Sequence, residues 1–139
     1  MEERRVVTCF LQHEGRVLVL RRSARVGTYR GRWAGVSGTI EAPTPLEQAY
    51  TELAEEVGLG PEDVTLLRQA PPLAVDDPAL GVRWWVHPFL FAVRDPTRIV
   101  LDWEHVEARW VDPAELGSLE TVPRLKETWQ LLWTTSRGA

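Results

Sequence analysis

Short apolar runs separated by polar turn residues open the chain. Arg4 to Gln12 is rich in β-branched and other apolar residues, which predicts a strand. His13-Glu14-Gly15 is a turn signal, and the apolar run from Arg16 to Arg22 follows it directly. We therefore expect the chain to begin with a β-hairpin.

A polar, glycine-containing segment follows this hairpin. Ser23 to Arg32 has two glycines and several arginines and is predicted to be a loop. Trp33 to Ile40 is apolar but contains Gly35 and Gly38, which indicates a short strand whose backbone comes close to another group.

The pattern changes to helical spacing after residue 44. Thr44-Pro45-Leu46-Glu47 supplies an N-cap Thr, a proline at the first helical position and a Glu three residues after the cap, which together predict a capping box. A buried stripe and a terminating C′ glycine, Gly58, complete the helix. The apolar residues of that stripe are Leu46, Ala49, Tyr50, Leu53 and Val57.

The rest of the chain mixes strands with two further helical segments. The predicted strands are Asp63–Gln69, Val82–Val93, Arg98–Leu101 and Val106–Val111, with a loop from Pro71 to Gly81. A short helix is predicted from Asp112, and a last helix from about Val122 to Trp133. Strands interleaved with helices predict an α/β sandwich with a mixed sheet, and we expect one domain over residues 1–139.

Composition narrows the function classes. The 139 residues are 44% hydrophobic and carry a formal net charge of −4, so there is no basic footprint for a nucleic-acid partner. No apolar run is long enough to span a membrane, and the charged N-terminus does not resemble a secretory signal. Cys9 is the single cysteine and is expected to be a buried apolar residue. These features predict a cytoplasmic protein without a membrane partner.

Three carboxylates stand close together on the predicted central helix. Glu52, Glu55 and Glu56 lie at i, i+3 and i+4, so they share one face, where like charges repel. A solvated acidic face is the plain explanation. However, the helix has no basic residue of its own to offset them, and carboxylates at this spacing suit Mg²⁺, which takes oxygen ligands.

The segment from Gly38 to Leu59, GTIEAPTPLEQAYTELAEEVGL, resembles the box of the Nudix hydrolases, a strand–loop–helix–loop motif. In that pattern Gly, five residues, Glu and seven residues precede Arg-Glu-hydrophobic-x-Glu-Glu-x-Gly-hydrophobic. The last eight positions, from Glu52 to Leu59, match fully, and Gly38 matches the opening glycine. The order of the elements outside the box is similar as well, so the resemblance covers most of the chain and implies the Nudix α/β/α sandwich.

Two departures from the box are visible. The interval from Gly38 to Glu52 is one residue short, and the arginine that precedes the first Glu of the acidic string is replaced by Thr51. In the family that arginine orients acidic box residues. We expect a guanidinium from outside the box to compensate by contacting Glu52 or Glu55, the candidates being Arg21, Arg22, Arg30 and Arg32.

The resemblance implies a hydrolase that cleaves a nucleoside diphosphate linked to another group X, with Mg²⁺ or Mn²⁺ as cofactor. It implies Glu52, Glu56 and the third box acid, Glu55, as metal ligands and the Gly38 carbonyl as a further oxygen ligand. Glu52, Glu55 and Glu104 are the implied catalytic residues. The attacking water would lose its proton to Glu52 or to a loop acid, for which Glu104 is the candidate. The substrate could be a dNTP, ADP-ribose, a dinucleoside polyphosphate or a nucleotide sugar.

Substrate contacts are expected from the loop before the box. Arginines bind phosphate oxygens bidentately, so we predict Arg22, Arg30 and Arg32 as contacts, together with Tyr29. Trp84 and Trp85 must point to opposite faces if they lie on a strand, and we predict Trp85 as the one that meets the substrate.

Several predictions stay open at this stage. His105 is expected at the surface or behind the ligands, and Trp33, Trp110 and Trp133 are expected in the core. A homodimer is possible.

The alternative function is a catalytically weak or dead Nudix domain that acts as a nucleotide sensor or interaction module. A Nudix-fold isomerase of isopentenyl diphosphate is disfavoured because that family uses a catalytic cysteine, and Cys9 lies far before the box.

Overall fold

The computed structural model describes residues 1–135. The last four residues of the predicted 1–139 domain lie outside this part. The strands are β1 Glu2–His13, β2 Arg16–Arg22, β3 Trp33–Ala34, β4 Val36–Thr39, β5 Val64–Gln69, β6 Leu73–Asp77, β7 Val82–Val93 and β8 His105–Val111. The α-helices are α1 Pro45–Val57 and α2 Leu125–Thr135, and short 3₁₀ helices span Pro61–Asp63, Pro96–Arg98 and Pro113–Ser118.

The sheet is built around the parallel pair of β1 and β7, which runs from Glu2 opposite Val82 to Gln12 opposite Ala92. Along its other edge β1 changes neighbour. Its middle pairs with β4, and its last residues pair with β2. Strand β7 also pairs with β5 and β6, and β2 with β3 and β8. The sheet is therefore mixed, and it divides where β1 passes from β4 to β2.

Apolar side chains cover both faces of this sheet because residues alternate along each strand. On one face, Cys9 and Phe91 belong to the same buried cluster as Leu53 of α1. On the other face, Phe10 and Leu90 pack with Trp129 of α2. One helix lies on each side, and the predicted α/β/α sandwich is confirmed.

Helix α1 has the N-cap and the C′ glycine that its sequence predicts, but within residues 1–135 only the Thr44 half of the predicted capping box is formed. The Thr44 hydroxyl accepts a hydrogen bond from the Glu47 amide at 3.2 Å, and Pro45 occupies the first turn. Gly58 closes the helix at φ 70°, in the left-handed region that favours glycine.

Four predictions differ from the structure. Leu73–Asp77 within the predicted Pro71–Gly81 loop is strand β6, because β7 is long enough to pair with it as a hairpin. The predicted strand at Arg98–Leu101 is a 3₁₀ turn followed by irregular chain. The segment from 33 to 40 breaks into β3 and β4 at Gly35. Trp133 is 37% exposed rather than in the core, and it stacks against the Arg68 guanidinium.

Candidate active site

A cavity of about 330 Å³ opens on the α2 side of the sheet. Its walls combine apolar side chains, hydroxyl groups and charged residues. Residues that line it include Val6, Thr8, Arg22, Tyr29, Ser37, Gly38, Glu52, Val75, Trp84, Val86, Glu104, Leu125 and Thr128. The cavity thus brings box residues together with side chains from β1, β7 and α2.

Glu52 reaches this cavity from α1 by passing close to β4. Its side chain lies so near Gly38 that a Cβ at position 38 would overlap the carboxylate. Gly38 is therefore needed for a close approach rather than for an unusual backbone angle. Burial raises the pKa of Glu52, and the charges of Glu55 and Glu41 act in the same direction.

The Glu52 carboxylate is held by a neighbour on its own helix. Gln48 Nε2 donates a hydrogen bond to Glu52 Oε2 at 2.8 Å, and both side chains are buried. This hydrogen bond lowers the pKa of Glu52 and partly offsets the effect of burial.

Glu56 is the most deeply buried of the box acids, with 1% of its surface exposed. Burial raises its pKa to about 10, and the negative charges of Glu104, Glu52 and Asp102 add to the shift. Its Oε2 atom is buried and has no hydrogen-bond partner among the described residues. A buried carboxylate oxygen in this state costs free energy unless a proton or a cation compensates it.

Glu104 is brought to the cavity by a loop that attaches to the end of α1. The Val100 amide donates to the Val57 carbonyl at 3.0 Å, and the Asp102 amide donates to the Glu56 carbonyl at 3.2 Å. Burial and the neighbouring Asp102 raise the pKa of Glu104 to about 7, whereas Arg22 lowers it. The predicted loop acid therefore lies beside the box acids, 48 positions away in the sequence.

His105 lies behind the acids rather than at the surface. Its Nε2 is 3.5 Å from Glu56 Oε1, and its Nδ1 is 3.5 Å from Asp102 Oδ1. Burial lowers the pKa of the imidazole, so the neutral form is favoured. Of the two places expected for His105, the structure shows the buried one.

The acids fit a cation by charge and by burial. The charges of Glu52 and Glu104 raise the pKa of Glu56, and Glu52 also raises the pKa of Glu104. The orphaned Glu56 oxygen adds a buried acceptor without a donor. In the described part of the chain, no three acidic, histidine or cysteine side chains by themselves enclose a metal ion. That agrees with Mg²⁺ chemistry, since this ion usually takes one or two carboxylates and completes its shell with water and substrate phosphate. Glu55 is exposed and does not line the cavity.

The three predicted arginine contacts lie in different places. Arg22 lines the cavity and donates from Nε to the Thr28 carbonyl at 3.0 Å. Arg30 is exposed and donates to the Val26 carbonyl, and the exposed Arg32 donates to the Thr121 carbonyl. The structure therefore brings only Arg22 of this set to the acids.

Tyr29 lines the cavity and is joined to its opposite wall. Its hydroxyl donates to Asp77 Oδ2 at 2.6 Å and accepts from Trp84 Nε1 at 3.1 Å. Burial and the bond to Asp77 raise the pKa of Tyr29 to about 12. Trp85 points to the other face of the sheet, where its Nε1 donates to Glu3, so Trp84 is the tryptophan that lines the cavity.

The prediction that an arginine from outside the box contacts Glu52 or Glu55 is wrong. Within residues 1–135, no guanidinium has a hydrogen bond or ion pair with Glu52 or Glu55, and Arg21 pairs with Glu107 instead. The side chain that hydrogen-bonds to Glu52 is Gln48. A sequence signal for it exists, because Gln48 stands four residues before Glu52 and so shares its helix face.

A family model for the NUDIX domain matches residues 1–132. The chain belongs to this family. The predicted membership in the Nudix hydrolases is thereby confirmed.

Similar proteins extend the comparison. A stretch of 55 residues is 49% identical to an RNA pyrophosphohydrolase of Halorhodospira halophila, covering 39% of this chain and 28% of that protein. The chain therefore spans less than a third of the curated relative that it matches.

Solved structures of the same fold are similar over nearly the whole chain. The dihydroneopterin triphosphate pyrophosphohydrolase of E. coli superposes with a TM-score of 0.75 at 22% identity, covering 97% of this chain and 100% of that one. An Ap4A hydrolase of C. elegans superposes with a TM-score of 0.73 at 16% identity, with complete coverage of both chains. At such identities the likeness establishes the fold. None of the helices within residues 1–135 is long and apolar enough to cross a membrane.

Proposed function

We propose that this protein is a Mg²⁺- or Mn²⁺-dependent pyrophosphohydrolase that cleaves the diphosphate linkage of a nucleotide-type substrate. The observation that carries the proposal is that Glu52 and Glu104 line one cavity, while the buried Glu56 lies close enough to both for their charges to raise its pKa. Buried acids that repel one another are costly to fold, and a cation that binds the substrate's phosphates relieves that cost.

The proposed ligands are Glu52, Glu56 and the Gly38 carbonyl, with Glu55 at the exposed edge of the same helix face. A bound divalent cation neutralises phosphate charge and lowers the pKa of bound water. The protein's own contribution is to hold these oxygens in place and to keep Glu56 away from solvent.

Glu104 is the proposed base that removes the proton from the attacking water. It lines the cavity, and its pKa of about 7 suits a general base near neutral pH. Glu52 is the alternative base, as expected from the resemblance. Replacement of Glu104 by Gln distinguishes them, because loss of the base should lower kcat without weakening metal binding. Glu52→Gln should weaken both, since Glu52 is also a proposed ligand. Wild-type kcat in Glu104→Gln would favour Glu52 as the base.

The substrate's other parts would lie along the apolar walls. Arg22 is the proposed phosphate contact, since it is the arginine that lines the cavity. Trp84 offers its ring to a base, between Val75 and Val86. A substrate panel should include dNTPs, ADP-ribose, a dinucleoside polyphosphate, a nucleotide sugar, a pterin triphosphate and 5′-triphosphorylated RNA. The last two represent chemistries named for similar proteins.

The test is hydrolysis of this panel with Mg²⁺, with Mn²⁺ and in EDTA. We expect turnover of at least one member with metal and none in EDTA, together with a rise in melting temperature at millimolar metal. Full turnover in EDTA would refute metal dependence. Binding without turnover for every member would favour the sensor or interaction module instead. A cytoplasmic location, a homodimer and the absence of a nucleic-acid partner stay predictions from the sequence.

A further inference from the structure

We infer that Gln48 is a positioning residue that orients the Glu52 carboxylate and ties it to the loop after Gly38, in place of the arginine that this chain lacks at position 51. The inference rests on the proposed function, because it assigns Glu52 to the metal site. It adds a residue outside the acidic string.

The hydrogen bonds of Gln48 determine which way its amide points. Its Oε1 accepts from the Glu41 amide and from the Ala42 amide, both at 2.9 Å. Backbone amides only donate, so the atom that faces them must be the oxygen. The Nε2 atom must therefore face Glu52, to which it donates at 2.8 Å.

Gln48 is buried and is hydrogen-bonded through both its oxygen and its nitrogen. The side chain is 6% exposed. One side chain thus connects the segment between β4 and α1 with the carboxylate that lies against Gly38. Groups that orient a metal ligand in this way commonly change metal affinity or activity by about 10–100-fold when they are removed.

The Thr51 side chain cannot orient the Glu52 carboxylate in this chain. The Thr51 side chain is exposed, and its hydroxyl donates to the Glu47 carbonyl one turn back at 3.2 Å. The neighbouring positions i and i+1 do not face each other on a helix, so a short side chain there cannot reach the Glu52 carboxylate.

The first experiment measures Mn²⁺ affinity and steady-state kinetics for Gln48→Met, which keeps the length of the side chain but removes the donor. We expect Mn²⁺ affinity to fall by about 10–100-fold and kcat to fall with it, while KM changes by less than about threefold. The matched control is Gln130→Met on the exposed surface of α2, which should behave as the wild type. Wild-type Mn²⁺ affinity in Gln48→Met would overturn the inference and leave the proposed function standing. Absence of Mn²⁺ binding by the wild type would overturn both.

A double-mutant cycle separates orientation of Glu52 from support of the loop. In a Glu52→Gln background, Gln48→Met should lower the single-turnover rate by less than about twofold, since the carboxylate it orients is gone. An equal loss in both backgrounds would mean that Gln48 only supports the loop, and would overturn the inference. If Gln48→Met does not fold, Gln48→Ala leaves both backbone amides to water and has no side-chain donor for Glu52. Its kcat should still fall at least tenfold, and wild-type kcat in that variant would be decisive against the inference.

Discussion

Replacement of Glu56 by Gln should stabilise the metal-free protein while it destroys metal binding. The Glu56 carboxyl has a pKa of about 10 in the folded protein against 4.5 as the ordinary value. A raised pKa of an acid means that the folded state binds more protons than the unfolded state between these values. The free energy of unfolding therefore decreases as the pH rises above about 4.5.

The size of this effect follows from the distance between the working pH and the ordinary pKa. At pH 8 the unfolded carboxyl is about 3.5 pH units above its pKa, which corresponds to about 5 kcal/mol as an upper limit. The neutral amide of Glu56→Gln avoids that cost but needs hydrogen-bond acceptors for its own N–H groups in a buried site. We therefore expect the free energy of unfolding of Glu56→Gln to exceed that of the wild type by about 2–4 kcal/mol at pH 8. At pH 5, which is about 0.5 pH unit above the ordinary pKa, the cost of burying Glu56 is less than about 1 kcal/mol, so the difference between the variant and the wild type should nearly vanish.

The assay is urea unfolding in EDTA at pH 5 and pH 8, with the wild type, Glu56→Gln and a control. Glu47→Gln is the matched control, because it lies on the same helix but is exposed. Its free energy of unfolding should be about 0.3–1 kcal/mol lower than that of the wild type at both pH values, because the charge of Glu47 in the first turn interacts favourably with the helix dipole. Destabilisation of Glu56→Gln at pH 8, or an equal gain at both pH values, would refute the reasoning. With millimolar Mn²⁺ the order should reverse, since only the wild type gains stability from the ion.

Three further predictions concern the remaining parts of the site. Thr51→Arg should change kcat/KM by less than about threefold, because Glu52 is already held; a gain above tenfold would instead show that the native box is weakened. Trp84→Ala should raise KM by about tenfold and Trp85→Ala by less than twofold, in kinetics with the best substrate of the panel; similar effects would contradict the assignment of the cavity wall. Gly38→Ala should lower kcat by about 100-fold by displacing Glu52, and an unchanged rate would show that the close contact is unimportant.

Local signals in the sequence were sufficient for the parts of the fold that form by local rules. Thr44, Pro45 and Gly58 predict both ends of α1, and the structure places them there. Strand β6 was missed because Ala74 and Asp76 give it little β propensity, and its pairing with the long β7 decides its conformation. Tertiary pairing of this kind is not visible in a window of a few residues.

The same contrast applies to the site. The box positions place Glu52 and Glu56 on one buried face, as helical spacing predicts. The choice of Trp84 over Trp85 depends on which face of β7 meets α2, and alternation alone does not reveal that. Arginine was expected to replace the missing box residue because of its charge, whereas a neutral amide is less costly to bury beside the carboxylate.

The backbone attachment of the loop from 95 to 104 has a consequence for tolerance to substitution. Val100 and Asp102 are joined to the end of α1 through their amides, so these two hydrogen bonds do not depend on the side chain at either position. Val100 is 68% exposed and Trp103 is 55% exposed. A saturation library should therefore accept nearly every residue at positions 100 and 103, with proline at 100 as the exception, since it has no amide hydrogen to give. The exposed positions of the loop that brings an acid to the cavity are thus free to vary in composition, and lineages could alter this outer surface without altering the chemistry beneath it.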